Sequence, residues 1–571
     1  MFPRVWIPVL LVEYAVGFAP HVAPDTYVSA VRGVRNLRPS TRLQLQGWFG
    51  RKKGSGEEPV GFISMESGEE KSKDPTDVYA SRLDTAAADN FSKDGIIDVK
   101  LAKEEKPKFK GKTDFDVIVV GAGCAGIGVA LMLTRTFRLD TSRVLVVEQG
   151  KKVGESFRKW PEEMRFISPS FNQQGWTGSF DLNAIHYDTS PAFMLRSEHP
   201  SGEEYANYLE GIADQGKLQV SLETKVISIR DVGKKNDKHP GPFHVELCEK
   251  NGDNSVDTQN KSTRYIVWAA GEFQHPRGKE KPQISTTSKG YDGSAKDEKS
   301  SESSLKFPGA ELCLHNSSVR SWAKLPGDDF IIIGGYESGI DAAVNLAKAG
   351  KKCKVLASTP CWNLKTGDPS SELAPFTSDR LRSVLSQDFS PNPKLFAPLR
   401  VIAVDKVEGG GFGVAARWKA LDEATPASTY DSSGFRAEVP RDTDRIQVFR
   451  TNQAPILCTG FEGSVAAQAS HLFAFPDPKA EKKACIGDGP LLTREDESTT
   501  VKGVFLVGPS VTHGDLSFCF VYKFRQRFAV VANAICQGLG MDTDAALAEC
   551  RRTDMYLDNF ATCEDTCGDA C

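Results

Sequence analysis

No stretch of this sequence approaches the ~18 continuous apolar residues that a membrane-crossing helix needs, so no integral membrane anchor is expected. The 13 cysteines include no CxxC pair, and their odd number and wide spacing outline no disulfide scaffold. Charge of one sign is lacking too. With 71 Lys and Arg against 75 Asp and Glu, the net charge is -4, which gives no electrostatic reason to expect nucleic acid as a partner. What remains is ordinary globular composition, 40% hydrophobic and 26% charged over 571 residues, enough for two or three domains.

The N-terminal region is distinctive. Residues 1–17 carry Arg4, a short apolar run from Val5 to Val12 ended by Glu13, and the small residues Ala15 and Gly17, as a signal peptide does. Residues 18–53 hold seven Arg or Lys and one acid, Asp25, which is transit-peptide composition. With Phe18, Ala19 and Pro20 after the cut, the pair resembles the two-part address of plastids reached through the secretory route. A plain secretory or mitochondrial signal is the alternative. Residues 54–113 read as a polar linker, 277–306 as a surface insertion, and 546–571 as a separate acidic, cysteine-bearing tail. "PFHVELCE" reads as a strand, and 398–418 as strands around a turn at Gly409, Gly410 and Gly411.

Folded sequence begins at "DFDVIVVGAGCAGIGVALMLTR". Val117 to Val120 form a buried strand, and Gly121, Gly123 and Gly126 then open a helix. Gly121 permits the tight turn, Gly123 leaves room for a pyrophosphate, and Gly126 lets helix and strand pack closely. The helix N-terminus offers free N–H groups to phosphate. A second strand, "RVLVVEQG", ends in Glu148, placed to accept hydrogen bonds from a ribose 2′-OH.

The run after Glu148, "KKVGESFRKWPEEMRFISPSF" with Trp160 in it, resembles the FAD-binding region of two-dinucleotide-domain flavoproteins. The resemblance is in particular to the flavin-containing monooxygenase and thioredoxin-reductase-like group. "YIVWAAG" resembles the strand crossing from the FAD domain toward the NADPH domain, and "APILCTGF", with Gly460, the returning one. "GVFLVGPSVTHGDLSFCFVYKFRQRF" resembles the closing FAD motif. In that group an aspartate after the glycine serves the flavin ribitol. Here Gly508 is followed by Pro509, with Asp515 as a substitute six residues on. The resemblance implies an α/β flavoprotein with two Rossmann-like βαβ domains behind a disordered N-terminal region. The FAD domain is assigned to 114–325 and 451–545, interrupted by an NADPH domain at 326–450.

"DFIIIGGYESGIDAAVNLAKAGKKCKVLAS" is the second such unit: strand, turn, alanine-rich helix, strand. Gly334 and Gly339 occupy the first and last glycine positions, Gly335 is extra, and Tyr336 stands where the middle glycine is expected. Tyr336 then changes how a ligand passes over the loop. The second strand leads into Ala357, Ser358 and Thr359 with no acid, which favours NADPH over NADH.

FAD and NADPH together imply hydride transfer to flavin on behalf of a small-molecule substrate. One continuation is oxygen activation. "FPGAELCLHNSSV" resembles the FxGxxxH pattern of flavin monooxygenases, although Cys313 holds the histidine slot and His315 falls two residues later. Another is disulfide reduction. Cys124 lies in the FAD turn, one position before the cysteine of bacillithiol-disulfide-reductase-like proteins. Cys563, Cys567 and Cys571 are spaced by four, so a helix would align them as a redox-active or metal-binding end. No metal site is assigned. A flavin-bound redox sensor is a third class. His513 and Asp515, with His315, are the candidates for proton handling. The spacing of Phe520, Phe524 and Phe528 predicts a buried helix stripe, with the neighbouring bases on its other side.

Overall fold

The computed structural model describes residues 112–170, 181–233, 242–250, 256–278, 307–363, 372–419, 428–430, 436–437, 445–476, 489–514, 516–558 and 560. The expected leader, the expected linker as far as 111, residues 279–306 of the expected insertion at 277–306, Asp515, and Cys563, Cys567 and Cys571 lie outside the described residues.

The chain begins with β1 (Phe115–Val120), α1 (Cys124–Leu131), β2 (Val144–Val147), α2 (Glu155–Arg158), α3 (Pro191–Leu195) and α4 (Gly202–Gln215). Then come β3 (Gln219–Ser221), β4 (Thr224–Asp231), β5 (Phe243–Lys250), β6 (Val256–Trp268) and β7 (His275–Pro276). The next segment runs β8 (Leu314–His315), β9 (Asp329–Ile333), α5 (Glu337–Lys348), β10 (Lys352–Leu356), α6 (Pro375–Val384) and β11 (Lys394–Ala397). It continues through β12 (Leu399–Lys406), β13 (Phe412–Trp418), β14 (Ser428–Tyr430), β15 (Arg436–Ala437), β16 (Ile446–Thr451) and β17 (Ile456–Leu457). The last elements are β18 (Phe461–Glu462), α7 (Ser464–Gln468), β19 (Val504–Leu506), β20 (Thr512–His513), β21 (Leu516–Ser517), α8 (Val521–Gly538) and α9 (Asp544–Arg552).

Val117 to Val120 and Phe330 to Ile333 are continuous apolar runs because each strand is buried on both faces. β1 and β9 centre two sheets. The first has the order β3-β2-β1-β6-β5-β4, with β19 also on β6. Its β3, β2, β1, β6 and β19 run parallel. β4, β5 and the first half of β6 form an antiparallel meander. The second sheet has the order β15-β14-β11-β10-β9-β17-β8, parallel from β11 to β8. β12, β13 and β16 form a separate antiparallel sheet, whose first hairpin turns through Gly409, Gly410 and Gly411 as expected. The expected "PFHVELCE" strand is β5.

Two passages link the sheets. The first leaves β6 through Gly271 into β7, and the second leaves β17 through Gly460 into β18. β7 and β18 pair as a two-stranded antiparallel ribbon, so outward and return paths run side by side. Arg277 N–H donates to the Gly460 carbonyl at 3.0 Å, and the Thr459 hydroxyl donates to the Arg277 carbonyl at 2.9 Å.

Two expectations need correction. Phe524 and Phe528 on α8 are buried as expected, with the Phe528 ring seated against Gly128 of α1. The two arginines do not simply lie on the side away from that stripe; they are buried as well, Arg525 2% and Arg527 0% exposed. Arg525 donates to the carbonyls of Asp181 and Ala184, and Arg527 to Asp496, so internal acceptors replace water. Nor is the stretch from 546 wholly a separate tail. Cys550 is buried with its thiol 3.6 Å from the Met132 sulfur, Met555 joins the same core, and the Phe560 ring stacks on His513 at 4.5 Å. Cys550 and Met555 thus belong to the core of the first domain, and Phe560 packs against it.

Candidate functional site

The first turn is built by close contacts that exclude side chains. Gly121 has φ +105°, and a Cβ there would stand 2.6 Å from the Ala269 carbonyl oxygen. A Cβ on Gly126 would stand 1.9 Å from the Gly121 carbonyl oxygen. Gly123 differs: a Cβ there would meet nothing within 4 Å. The protein therefore does not itself require glycine at 123; the missing side chain leaves room on the outer face of the turn. Gly121 N–H donates to the Val147 carbonyl at 2.7 Å, and Ala269 N–H to the Val120 carbonyl at 2.9 Å.

The second turn repeats these contacts position by position. Gly334 has φ +110°, and its Cβ would stand 2.2 Å from the Cys458 carbonyl oxygen. A Cβ on Gly339 would stand 2.0 Å from the Gly334 carbonyl oxygen. Gly334 N–H donates to the Leu356 carbonyl at 2.9 Å, and Cys458 N–H to the Ile333 carbonyl at 2.8 Å. Each passage out of its sheet then reaches a glycine with left-handed φ and open space around it, Gly271 at +76° and Gly460 at +77°.

This register locates Tyr336. It caps α5 with φ -96° and ψ -164°, while Gly123 caps α1 with φ -82° and ψ -171°. The backbone is the same, so Tyr336 is accepted without strain, and its 40% exposed side chain occupies the outer face that Gly123 leaves open. Gly335 takes the place of Ala122. A Cβ there would lie 2.4 Å from the Ala357 Cβ and 2.7 Å from the Trp362 ring, so the extra glycine accommodates that indole. Sequence reasoning missed Trp362, which carries no pattern of its own.

The two strand ends differ in charge. Glu148 accepts from Ala122 N–H at 2.8 Å and Gly150 N–H at 2.7 Å, one bond on each carboxylate oxygen. Burial outweighs these bonds and holds its carboxyl above the usual range. The corresponding position after β10 is Ala357, which is buried and uncharged; Ser358 and Thr359 follow and are exposed.

Gly508, with φ +113°, carries the closing loop over α1: its Cβ would lie 3.3 Å from the Ala125 Cβ. Trp160 sits apart from these contacts, in an aromatic cluster with Phe157 and Phe166 at centroid distances of 5.2 and 5.1 Å. Cys124, first residue of α1, is half-buried. Burial pushes its thiol up to about 12, against the downward pull that a helix N-terminus exerts.

His315 is fully buried on β8. Ser317 N–H donates to its Nδ1 at 3.2 Å, so Nε2 carries the proton and donates to the Gly460 carbonyl at 3.1 Å. The ring thus holds the return passage. His513 lies beside the first domain, with Nε2 2.6 Å from Asp496 Oδ1. Asp496 and Arg527 are fully buried and paired, with Nε and Nη2 each 2.9 Å from a carboxylate oxygen. Asp496 and Arg527 were not singled out from sequence. Among the described residues no cluster of His, Cys, Asp and Glu could hold a metal, and no helix is long and apolar enough to cross a membrane.

Comparison with known proteins adds three findings. The model of the family described as pyridine nucleotide-disulphide oxidoreductase matches residues 118–302 and 298–408, together just over half of the chain. The uncharacterized oxidoreductase CzcO of Bacillus velezensis is 22% identical over 237 residues, 41% of this chain and 52% of that one. The chain thus spans about half the length of the curated relatives it matches. The bacillithiol disulfide reductase Bdr of Staphylococcus aureus has a similar fold, with a TM-score of 0.50 at 14% identity, covering 75% of this chain and 99% of that one.

Proposed function

The chain belongs to the pyridine nucleotide-disulphide oxidoreductase family, and on that premise we propose that it is an FAD- and NADPH-linked oxidoreductase of the flavin-monooxygenase type. The observation that carries the reading is the repeated construction. Two turns share the same glycine-to-carbonyl contacts, each against the residue just past a strand end, Ala269 or Cys458, that is followed two positions on by a passage glycine with open space. The first turn fits a dinucleotide because the one glycine its own packing does not demand, Gly123, is the one a pyrophosphate would need. A bound flavin would supply the hydride acceptor and the route of electrons onward to oxygen or a small-molecule substrate.

The chain's own part is to bind and orient. N–H groups at the start of α1 and α5 would receive the phosphate oxygens. Each Glu148 oxygen keeps a lone pair beyond its one backbone bond, which suits ribose hydroxyls. At the second turn Ala357 presents no carboxylate against a 2′-phosphate, and the exposed Ser358 and Thr359 can donate to it. His315 fixes the Gly460 carbonyl and so the path on which the two domains meet. His513, held at Nε2 by Asp496, is the candidate for moving a proton at its other ring nitrogen, Nδ1.

Among the described residues, the state of the thiols favours the oxygen route over a dithiol route. Burial raises Cys124, Cys313, Cys353, Cys536 and Cys550 each to about 12. Such thiols hold almost no thiolate at neutral pH and are slow nucleophiles.

The deciding experiment is rapid mixing of the purified chain with NADPH, then with anaerobic or oxygenated buffer. The expected result is a yellow protein bleached by NADPH and recoloured by oxygen. A colourless chain that cannot be loaded with flavin overturns the reading. Oxygen-independent disulfide reduction would move it to the reductase class.

A further inference from the structure

One carboxyl joins the closing loop to the first passage. Glu272 follows Gly271, and its Oε1 accepts the Ser510 hydroxyl. Its Oε2 lies 2.2 Å from where a Cβ on Gly463 would stand, so it also packs against the start of α7. Both segments that meet at Glu272 flank the first turn. On one side, the Cβ position of Gly121 presses on the Ala269 carbonyl oxygen at 2.6 Å and the Ala270 Cα at 3.0 Å. On the other, Gly508 stands over Ala125. A dinucleotide laid across Gly123 would leave the turn between these flanks, and the open space at Gly271 adjoins Glu272 in sequence. The closing loop offers no acid beside its glycine, since Pro509 follows Gly508.

We propose that Glu272 is the acid that receives hydroxyl groups of the flavin's sugar-alcohol chain, a cofactor-positioning residue supplied by the passage strand instead of the closing loop. The proposal rests on the FAD reading of the first turn. Burial raises the Glu272 carboxyl to about 7, with the Ser510 hydroxyl and the Arg277 charge pulling the other way. Arg277 is the charged group acting on it; the nearby ribbon pair, His275 and Glu462, face each other across β7 and β18. The ionised carboxylate accepts at both oxygens, whereas the neutral acid gives up acceptor capacity to its own proton. Flavin therefore favours the ionised form, and affinity rises as pH climbs through about 7 and then levels.

The test is FAD affinity of the full-length apoprotein, read by quenching of flavin fluorescence between about pH 6 and 8.5, with circular dichroism melts as folding controls. Wild type is expected to bind about tenfold tighter at the upper end, the scale of one charge-assisted hydrogen bond. Glu272→Gln should lose about that factor at high pH and show a flat profile. Ser510→Ala should keep the pH step with a smaller loss. Wild-type affinity in Glu272→Gln at every pH overturns the proposal, as does a flat wild-type profile, which decides the matter even if the variant does not fold. A wild type that takes up no FAD instead sinks the function reading before any variant is compared.

Discussion

Gly123→Ala separates binding from folding at the first turn. The added methyl meets no protein atom within 4 Å, and the backbone at φ -82° and ψ -171° is open to any residue. The stability cost is then that of exchanging Gly for Ala at a helix N-cap, about 0.5 kcal/mol. If a pyrophosphate crosses here, the methyl displaces it by roughly an ångström from the α1 N–H groups. Losing one or two charge-assisted hydrogen bonds, at about 1.5 kcal/mol each, weakens FAD binding by roughly 10- to 100-fold. Gly126→Ala is the contrast. Its methyl would lie 1.9 Å from the Gly121 carbonyl oxygen, so turn and helix must part, at a cost of about 3 kcal/mol. Thermal melts and flavin titration of both variants provide the readout. A Gly123→Ala protein that melts like wild type and binds FAD equally well refutes the assignment of the open face to phosphate.

Other outcomes follow from the same contacts. Tyr336→Gly should lower the NADPH KM about two- to tenfold, the scale of one immobilised side chain, while FAD affinity stays fixed; an unchanged KM would show that the ring does not lie in the nucleotide's path. Asp496→Asn keeps a residue type that tolerates the φ of +62° there but strips the partner from fully buried Arg527. The expected loss is about 3 kcal/mol in a denaturant melt, and a change below 1 kcal/mol would mean the pair is not buried as described. Cys124→Ser should leave NADPH-driven flavin reduction within about twofold of wild type, because a thiol raised to about 12 is not ionised at neutral pH; loss of turnover with folding intact would restore the thiol route.

Sequence by itself determined the two strand–turn–helix units, the roles of Gly121, Gly126, Gly334 and Gly339, and the lack of an acid after β10. These are local demands, since a tight turn or a close helix constrains residues within a few positions of one another. Tertiary structure decided the rest. That Tyr336 stands where Gly123 leaves a gap is visible only once both turns are in register. The burial of Arg525 and Arg527, read from spacing only as the other side of the helix, depends on acceptors from other segments: the carbonyls of Asp181 and Ala184, 344 and 341 positions from Arg525, and the carboxylate of Asp496, 31 positions from Arg527. Glu272 and Ser510 meet across 238 positions, and His513 finds Asp496 through a residue in left-handed backbone. Helical and strand periodicities report which side of an element is apolar. They do not report which distant segment will supply a partner, because that is set by how the two sheets and the closing helix pack.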